Sequence, residues 1–159
     1  MDDEILQKLI AHTISYISFR PRSAKEIHEY LLKRTKGDKK EYVCLAEARL
    51  KELGYIDDAV YAKRFIESRC RSRPKGKKLI QLELRRKGVS QEIIDEIDGP
   101  SDIELARMVA QKKYSLWKKL PILEQKKKLF GLLQRRGFSS NVIFRIIDEL
   151  LGNQYNEDT

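Results

Sequence analysis

The feature that most constrains this chain is an internal repeat. Leu84-Arg85-Arg86-Lys87-Gly88-Val89-Ser90 matches Leu133-Gln134-Arg135-Arg136-Gly137-Phe138-Ser139 at an offset of 49 residues. Under that offset Ile80 meets Leu129, and Ile93-Ile94 meets Val142-Ile143. Upstream, Ala11 to Gly37 and Ala62 to Gly88 both span 26 residues. Similarity at such a period implies one small unit copied in tandem. Each copy is too small to bury its own apolar face, so neighbours share a core.

The copied unit is helical. Leu6, Leu9, Ile10, Ile14 and Ile17 recur at three- and four-residue steps and predict a helix over about 3–19. Arg20-Pro21-Arg22 ends it, because proline lacks an amide donor and restricts the residue before it. Ser23 with Glu26 forms a capping box that opens a second helix buried through Ile27 and Leu31. A third, about 41–52, uses Val43, Ala46 and Leu50 and stops before Gly54. The series recurs twice. Asp57 or Asp58 caps a helix carrying Val60, Tyr61, Phe65 and Ile66. Ile80 and Leu84 mark the next, stopped at Gly88, and Ser90 caps a short one ended by Gly99-Pro100. Ser101 with Glu104 is a second capping box, opening a helix with Leu105, Met108 and Val109. Pro121 suits the first turn of the helix that stops at Gly137, and Ser139 or Ser140 caps the last.

No run alternates apolar and polar residues, and no Asn-Gly or Asp-Gly hairpin signal occurs. The expected fold is therefore all-α: three tandem three-helix repeats, resembling helix-turn-helix units, in an elongated, curved array. The repeats are expected at 1–56, 57–100 and 101–152, followed by a polar tail at 153–159.

Charge narrows the function. The chain has 159 residues and a net charge of +9. Two windows, 69–89 and 107–136, hold 19 basic residues against two acids, or +17. The remainder holds 14 against 22, or −8. A basic centre in an acidic frame predicts a polyanionic partner or an acidic protein surface. In the first window Arg69, Arg71, Arg73, Lys75, Lys77 and Lys78 crowd into ten residues around Pro74 and Gly76, and Arg85, Arg86 and Lys87 follow. In the second lie Lys112, Lys113, Lys118, Lys119, Lys126, Lys127, Lys128, Arg135 and Arg136. An ordinary solvated face mixes both signs, so the shortage of acids points to binding. Tyr114 and Trp117 sit among these lysines. They are suited to stacking on bases, but a Trp in a small helical protein more often fills the core, and that is the expectation here.

Catalytic patterns are missing. There is no glycine-rich phosphate loop. His12 and His28 have no metal partner at ligand spacing and read as surface residues. Cys44 reads as a small core residue. Cys70 lies between Arg69 and Arg71, a setting that favours a thiolate. Asp57-Asp58 reads as a cap rather than a catalytic pair. The expectation is a non-enzymatic protein with no cofactor or metal. The acidic start, Met1-Asp2-Asp3-Glu4, is unlike a secretory signal, and no stretch approaches the roughly 20 apolar residues of a membrane span. A cytoplasmic, monomeric chain without a membrane partner is expected.

One longer pattern is specific. Leu53-Gly54-Tyr55-Ile56-Asp57-Asp58, Tyr61-Ala62 and Phe65 are followed by Pro74-Lys75-Gly76, Glu83-Leu84-Arg85, Lys87-Gly88 and Val89-Ser90. In order and spacing this resembles the signature of the RecX family. Ser23-Ala24-Lys25-Glu26-Ile27 resembles that family's first-repeat capping segment. The resemblance implies a regulator of the RecA recombinase in DNA repair and the SOS response. Such proteins lodge in the groove of the RecA filament on single-stranded DNA. There they restrain filament growth, ATP hydrolysis, strand exchange and coprotease activity, with no catalytic residues of their own. Two departures stand out: an extra Thr35-to-Lys40 segment in repeat one, and no N-terminal extension of the kind some relatives carry. The competing expectation is a helix-turn-helix-like protein that binds DNA directly, and weak direct DNA binding is compatible with both.

Overall fold

The structure is a computed structural model that describes residues 2–152; the tail expected over 153–159 lies outside the described residues. The described residues form α1 (Asp3–Ser18), α2 (Ala24–Arg34), α3 (Lys40–Glu52), α4 (Asp58–Ser72), α5 (Lys77–Arg86), α6 (Gln91–Glu96), α7 (Asp102–Trp117), α8 (Ile122–Arg135) and α9 (Ser140–Leu151). No strand occurs among them. None of these helices is long and apolar enough to cross a membrane.

Local chemistry explains most of the boundaries. Both expected capping boxes form. The Glu26 amide donates to the Ser23 hydroxyl while the Ser23 amide donates to the Glu26 carboxylate. Ser101 and Glu104 repeat the exchange. Asp57, rather than Asp58, caps α4, accepting from the amides of Ala59 and Val60. Ser90 and Ser139 cap α6 and α9. Pro121 lies one residue earlier than expected, at the cap position of α8 with extended ψ rather than in its first turn.

The offset of 49 holds in three dimensions. Ile80 and Leu129, Leu84 and Leu133, Val89 and Phe138, and Ile94 and Ile143 are all buried. Gly88 and Gly137 share a φ of +83°. A left-handed residue here ends one helix and turns the chain into the next, and a side chain would be strained in it.

The chain divides into two compact units. The first takes the described residues up to Phe65 together with Glu83–Ile97. Leu9, Ile27, Leu31, Val43, Ala46 and Leu50 form a buried cluster in it, with Leu6, Ile10, Ile14 and Ile17 packed against them. Tyr16 and Tyr30 stack with ring centroids 4.0 Å apart, and the Arg22 guanidinium lies 3.9 Å over Tyr16. The second unit takes Ile66–Leu82 with the described residues from Asp98 onward. Leu105, Val109, Leu129, Leu133, Ile143, Ile146 and Leu151 lie in its interior.

Several expected core residues lie elsewhere. Cys44 is exposed. Helix α3 buries Val43, Ala46 and Leu50, and one residue beyond Val43 is a rotation of about 100° away from that line. Val60 and Met108 are exposed for the same reason of phase, and Phe65 and Trp117 are only half-buried.

Within each unit a carboxylate ties the first helix of one repeat to the second helix of the repeat before it. The Ala24 amide donates to Asp58 Oδ1 at 2.8 Å. The Lys77 amide donates to Asp102 Oδ1 at 2.8 Å. Beside the first contact, a Cβ on Gly88 would come 2.7 Å from Cβ of Lys25. Beside the second, a Cβ on Gly137 would come 2.5 Å from Leu79.

Candidate polyanion interface

The second unit carries most of the predicted cations. Helix α4 delivers Arg69 and Arg71, and its last turn runs into Arg73. Pro74 and Gly76 in the following connector are buried. The Gly76 amide donates to the Arg136 carbonyl at 2.8 Å, and a Cβ on Gly76 would meet the Gly137 carbonyl oxygen at 2.5 Å. This close backbone approach fixes the connector and presents the side chains on either side of it. Arg71, Arg73, Lys77 and Lys78 are exposed, whereas Arg69 and Lys75 are half-buried.

The later cations divide in the same way. Lys112, Lys113, Lys118, Lys119, Lys127 and Arg135 are exposed, and Lys126 is half-buried. The Lys118 ammonium lies 5.7 Å over the Tyr114 ring, and the Lys128 ammonium 5.7 Å over the Trp117 ring. Arg136 faces inward. Its guanidinium donates to the Pro74 carbonyl at 3.1 Å. Burial, with Arg73 and Arg135 nearby, pulls its pKa below the usual arginine value. It therefore serves the connector, as its repeat counterpart Lys87 serves α2 by binding Glu26 at 3.2 Å. Arg85 and Arg86 are exposed in the first unit.

Electrostatically, Arg71, Arg73, Lys77 and Lys78 are the clearest group. None of the four makes an ion pair among the described residues. Arg107, by contrast, is committed to Glu149 at 3.0 Å. Exposed, uncompensated cations attract phosphate or carboxylate and release condensed counterions when they bind a nucleic acid.

No group of three or more His, Cys, Asp or Glu residues among the described residues is placed to hold a metal ion. Cys70 departs from its expected character: burial pushes its thiol pKa up, so the flanking arginines do not make it a thiolate. No motif in the sequence points to a cleft of about 540 Å³ in the first unit, lined by Lys25, His28, Cys44, Glu47 and Lys51 among others. There His28 Nδ1 lies 2.5 Å from Glu47. The two residues are 19 apart on different helices, a separation at which no short-range spacing rule operates.

These features define an all-helical repeat protein built of three-helix modules, with cation clusters concentrated in its second and third modules. Comparison places it among known proteins. Residues 57–97 match the model of the RecX second three-helix domain, and residues 101–147 that of the third. A "Regulatory protein RecX" of Prosthecochloris aestuarii is 34% identical over 158 residues, covering 96% of this chain and 100% of that protein. The one from Chlorobaculum tepidum is 32% identical, covering 97% and 95%. The one from Bacillus cytotoxicus is 33% identical, but the match covers 93% of this chain and only 56% of that longer protein. The crystal structure of RecX from Lactobacillus salivarius superposes with a TM-score of 0.75 at 25% identity, covering 94% of this chain and 98% of that one. The chain belongs to the RecX family of regulatory proteins.

Proposed function

We propose that this chain binds the RecA filament on single-stranded DNA. There it restrains filament growth, ATP hydrolysis and strand exchange, without catalysing a reaction itself. In this reading it acts as a monomer in the cytoplasm, and the exposed members of the predicted cations in the second unit form its filament-facing surface. Family membership supports the regulatory role. The observation that carries the binding mode is the group Arg71, Arg73, Lys77 and Lys78, exposed and without an ion-pair partner among the described residues. A RecA–DNA filament offers both acidic protein surface and exposed phosphate. Cations that bridge neighbouring protomers would lock them or promote disassembly at the growing end.

The test is co-sedimentation with RecA–single-stranded-DNA filaments beside an ATPase assay. Wild-type chain should sediment with filaments and slow ATP hydrolysis. A folded variant with Ala at positions 71, 73, 77 and 78 should do both less well. Undiminished inhibition by that variant would sink the site assignment. Sequence-specific binding to duplex DNA with no effect on RecA would favour a direct DNA-binding protein instead.

A further inference from the structure

We propose that the turn joining α7 to α8 is a docking surface for a protein segment that sets carboxylates around apolar anchors. The proposal rests on the filament reading above and assigns this surface to the protein component of the filament, not to its DNA.

The turn is built to hold its shape. Only residues 118–121 separate α7 from α8. Gln125, 2% exposed, donates its side-chain amide to the carbonyls of Leu120 at 2.7 Å and Lys118 at 3.3 Å. The Leu120 amide closes back onto the Trp117 carbonyl at 2.9 Å. Yet the same turn leaves apolar surface in water. Leu116, in the last turn of α7, is 69% exposed, and Leu123, in the first turn of α8, is 65% exposed. Lys113, Lys118, Lys119 and Lys127, each within four residues of one of these leucines in the chain, are exposed, and Glu124 is the one acid between residues 112 and 128.

The combination discriminates between partners. Phosphate needs cations but gains nothing from leucine. Nucleobases stack on open aromatic faces, and here the Tyr114 and Trp117 rings already carry Lys118 and Lys128. Exposed apolar area leaves water with a gain only against another apolar surface. Segment 69–78 differs in kind, since no large apolar residue is exposed there. A protein segment with Asp or Glu flanking a Leu, Ile or Phe satisfies both halves of the α7–α8 turn. The carboxylates would steer encounter, and the anchors would hold the complex.

The experiment uses the full chain carrying Leu116→Ser with Leu123→Ser, and separately Leu123→Ala, each checked for wild-type helicity and melting. Sedimentation is measured with RecA–single-stranded-DNA filaments at two salt concentrations, with single-stranded DNA alone, and with phosphatidylglycerol vesicles. The double variant should bind filaments about tenfold more weakly at both salt concentrations. Leu123→Ala should lose affinity in the same direction but less. Binding to DNA alone should not change, and neither wild type nor variants should sediment with vesicles. Unchanged filament binding by the variants overturns the assignment, as does an equal loss on DNA alone or Leu-dependent sedimentation with vesicles. If the wild-type chain itself fails to bind filaments, the functional reading falls and takes this assignment with it.

Discussion

The backbone amide of Lys77, the first residue of α5, donates at 2.8 Å to the carboxylate of Asp102, in the first turn of α7. The Ala24 amide and Asp58 form the same bond at the same length in the first unit. In both cases an amide at the start of a helix, which has no partner within its own helix, is satisfied by an acid from the next repeat.

Removing either acid should therefore weaken folding rather than binding. Asp58→Ala is expected to cost about 1–2 kcal/mol, since its bond is part-buried, and Asp102→Ala about 1 kcal/mol. Urea denaturation of each variant measures this. Midpoints equal to wild type would mean that solvent satisfies these amides as well as the carboxylates do.

Gly137 should tolerate substitution less well than Gly54. Both adopt left-handed φ, +83° and +79°. At Gly54 an added Cβ meets nothing within 4 Å, whereas at Gly137 it would strike Leu79 at 2.5 Å. Gly54→Ala should cost about 1–2 kcal/mol from backbone strain alone. Gly137→Ala adds a steric clash and should exceed that by roughly 1 kcal/mol or more. The comparison of thermal midpoints decides it.

Arg135 and Arg136 should separate cleanly. Arg136→Ala removes the bond to the Pro74 carbonyl and should lower stability by about 1–2 kcal/mol. Arg135→Ala, at an exposed position, should change stability by less than about 0.5 kcal/mol. Equal thermal shifts for the two would contradict the inward role of Arg136.

Glu26 should contribute to acid sensitivity. Burial works to raise its pKa, but hydrogen bonds from Arg20, the Ser23 amide and Lys87 outweigh it and hold the carboxyl at about 2, against an ordinary 4.5. A depressed folded-state pKa means that its contribution is complete above pH 4.5 and is lost as pH falls towards 2. Glu26→Gln should be less stable than wild type at neutral pH, and the gap should close through that window. A gap independent of pH would show that the charge of Glu26 is not what stabilises α2.

Single-stranded DNA binding, where it occurs, should report on Arg71. Each neutralised phosphate contributes roughly 0.7 to the slope of log affinity against log salt on a single strand. Arg71→Ala should lower that slope by about this amount if its guanidinium meets phosphate. An unchanged slope in a salt titration would place Arg71 against protein instead.

The parts of the fold legible in the sequence were those governed by neighbours a few residues apart. Ser23 with Glu26, Ser101 with Glu104, and the glycines at 88 and 137 act within one helical turn, so their spacing revealed them. Asp58 stands where a cap of its own helix is expected, but its bond reaches back 34 residues to Ala24, and only the packed chain creates that partner. Cys44 lies outside the core because one step of helical phase separates it from buried Val43, a difference that apolar composition alone does not show. Within the candidate site, the charge windows were legible as composition, but the separation of Arg136 from Arg135 was not. Adjacent residues of identical chemistry differ only in which of them faces Pro74.

The paired contacts Ala24–Asp58 and Lys77–Asp102 also give the series a direction. In each, the earlier repeat supplies a donor and the later one an acceptor, so the two surfaces that meet are different and cannot pair with copies of themselves. Contacts of that head-to-tail kind do not close on a twofold axis; they extend. A duplicated repeat would arrive with both halves of the joint already on it, an acid for the repeat before it and an amide for the repeat after it. Lengthening such a chain by whole repeats therefore requires no new joining chemistry.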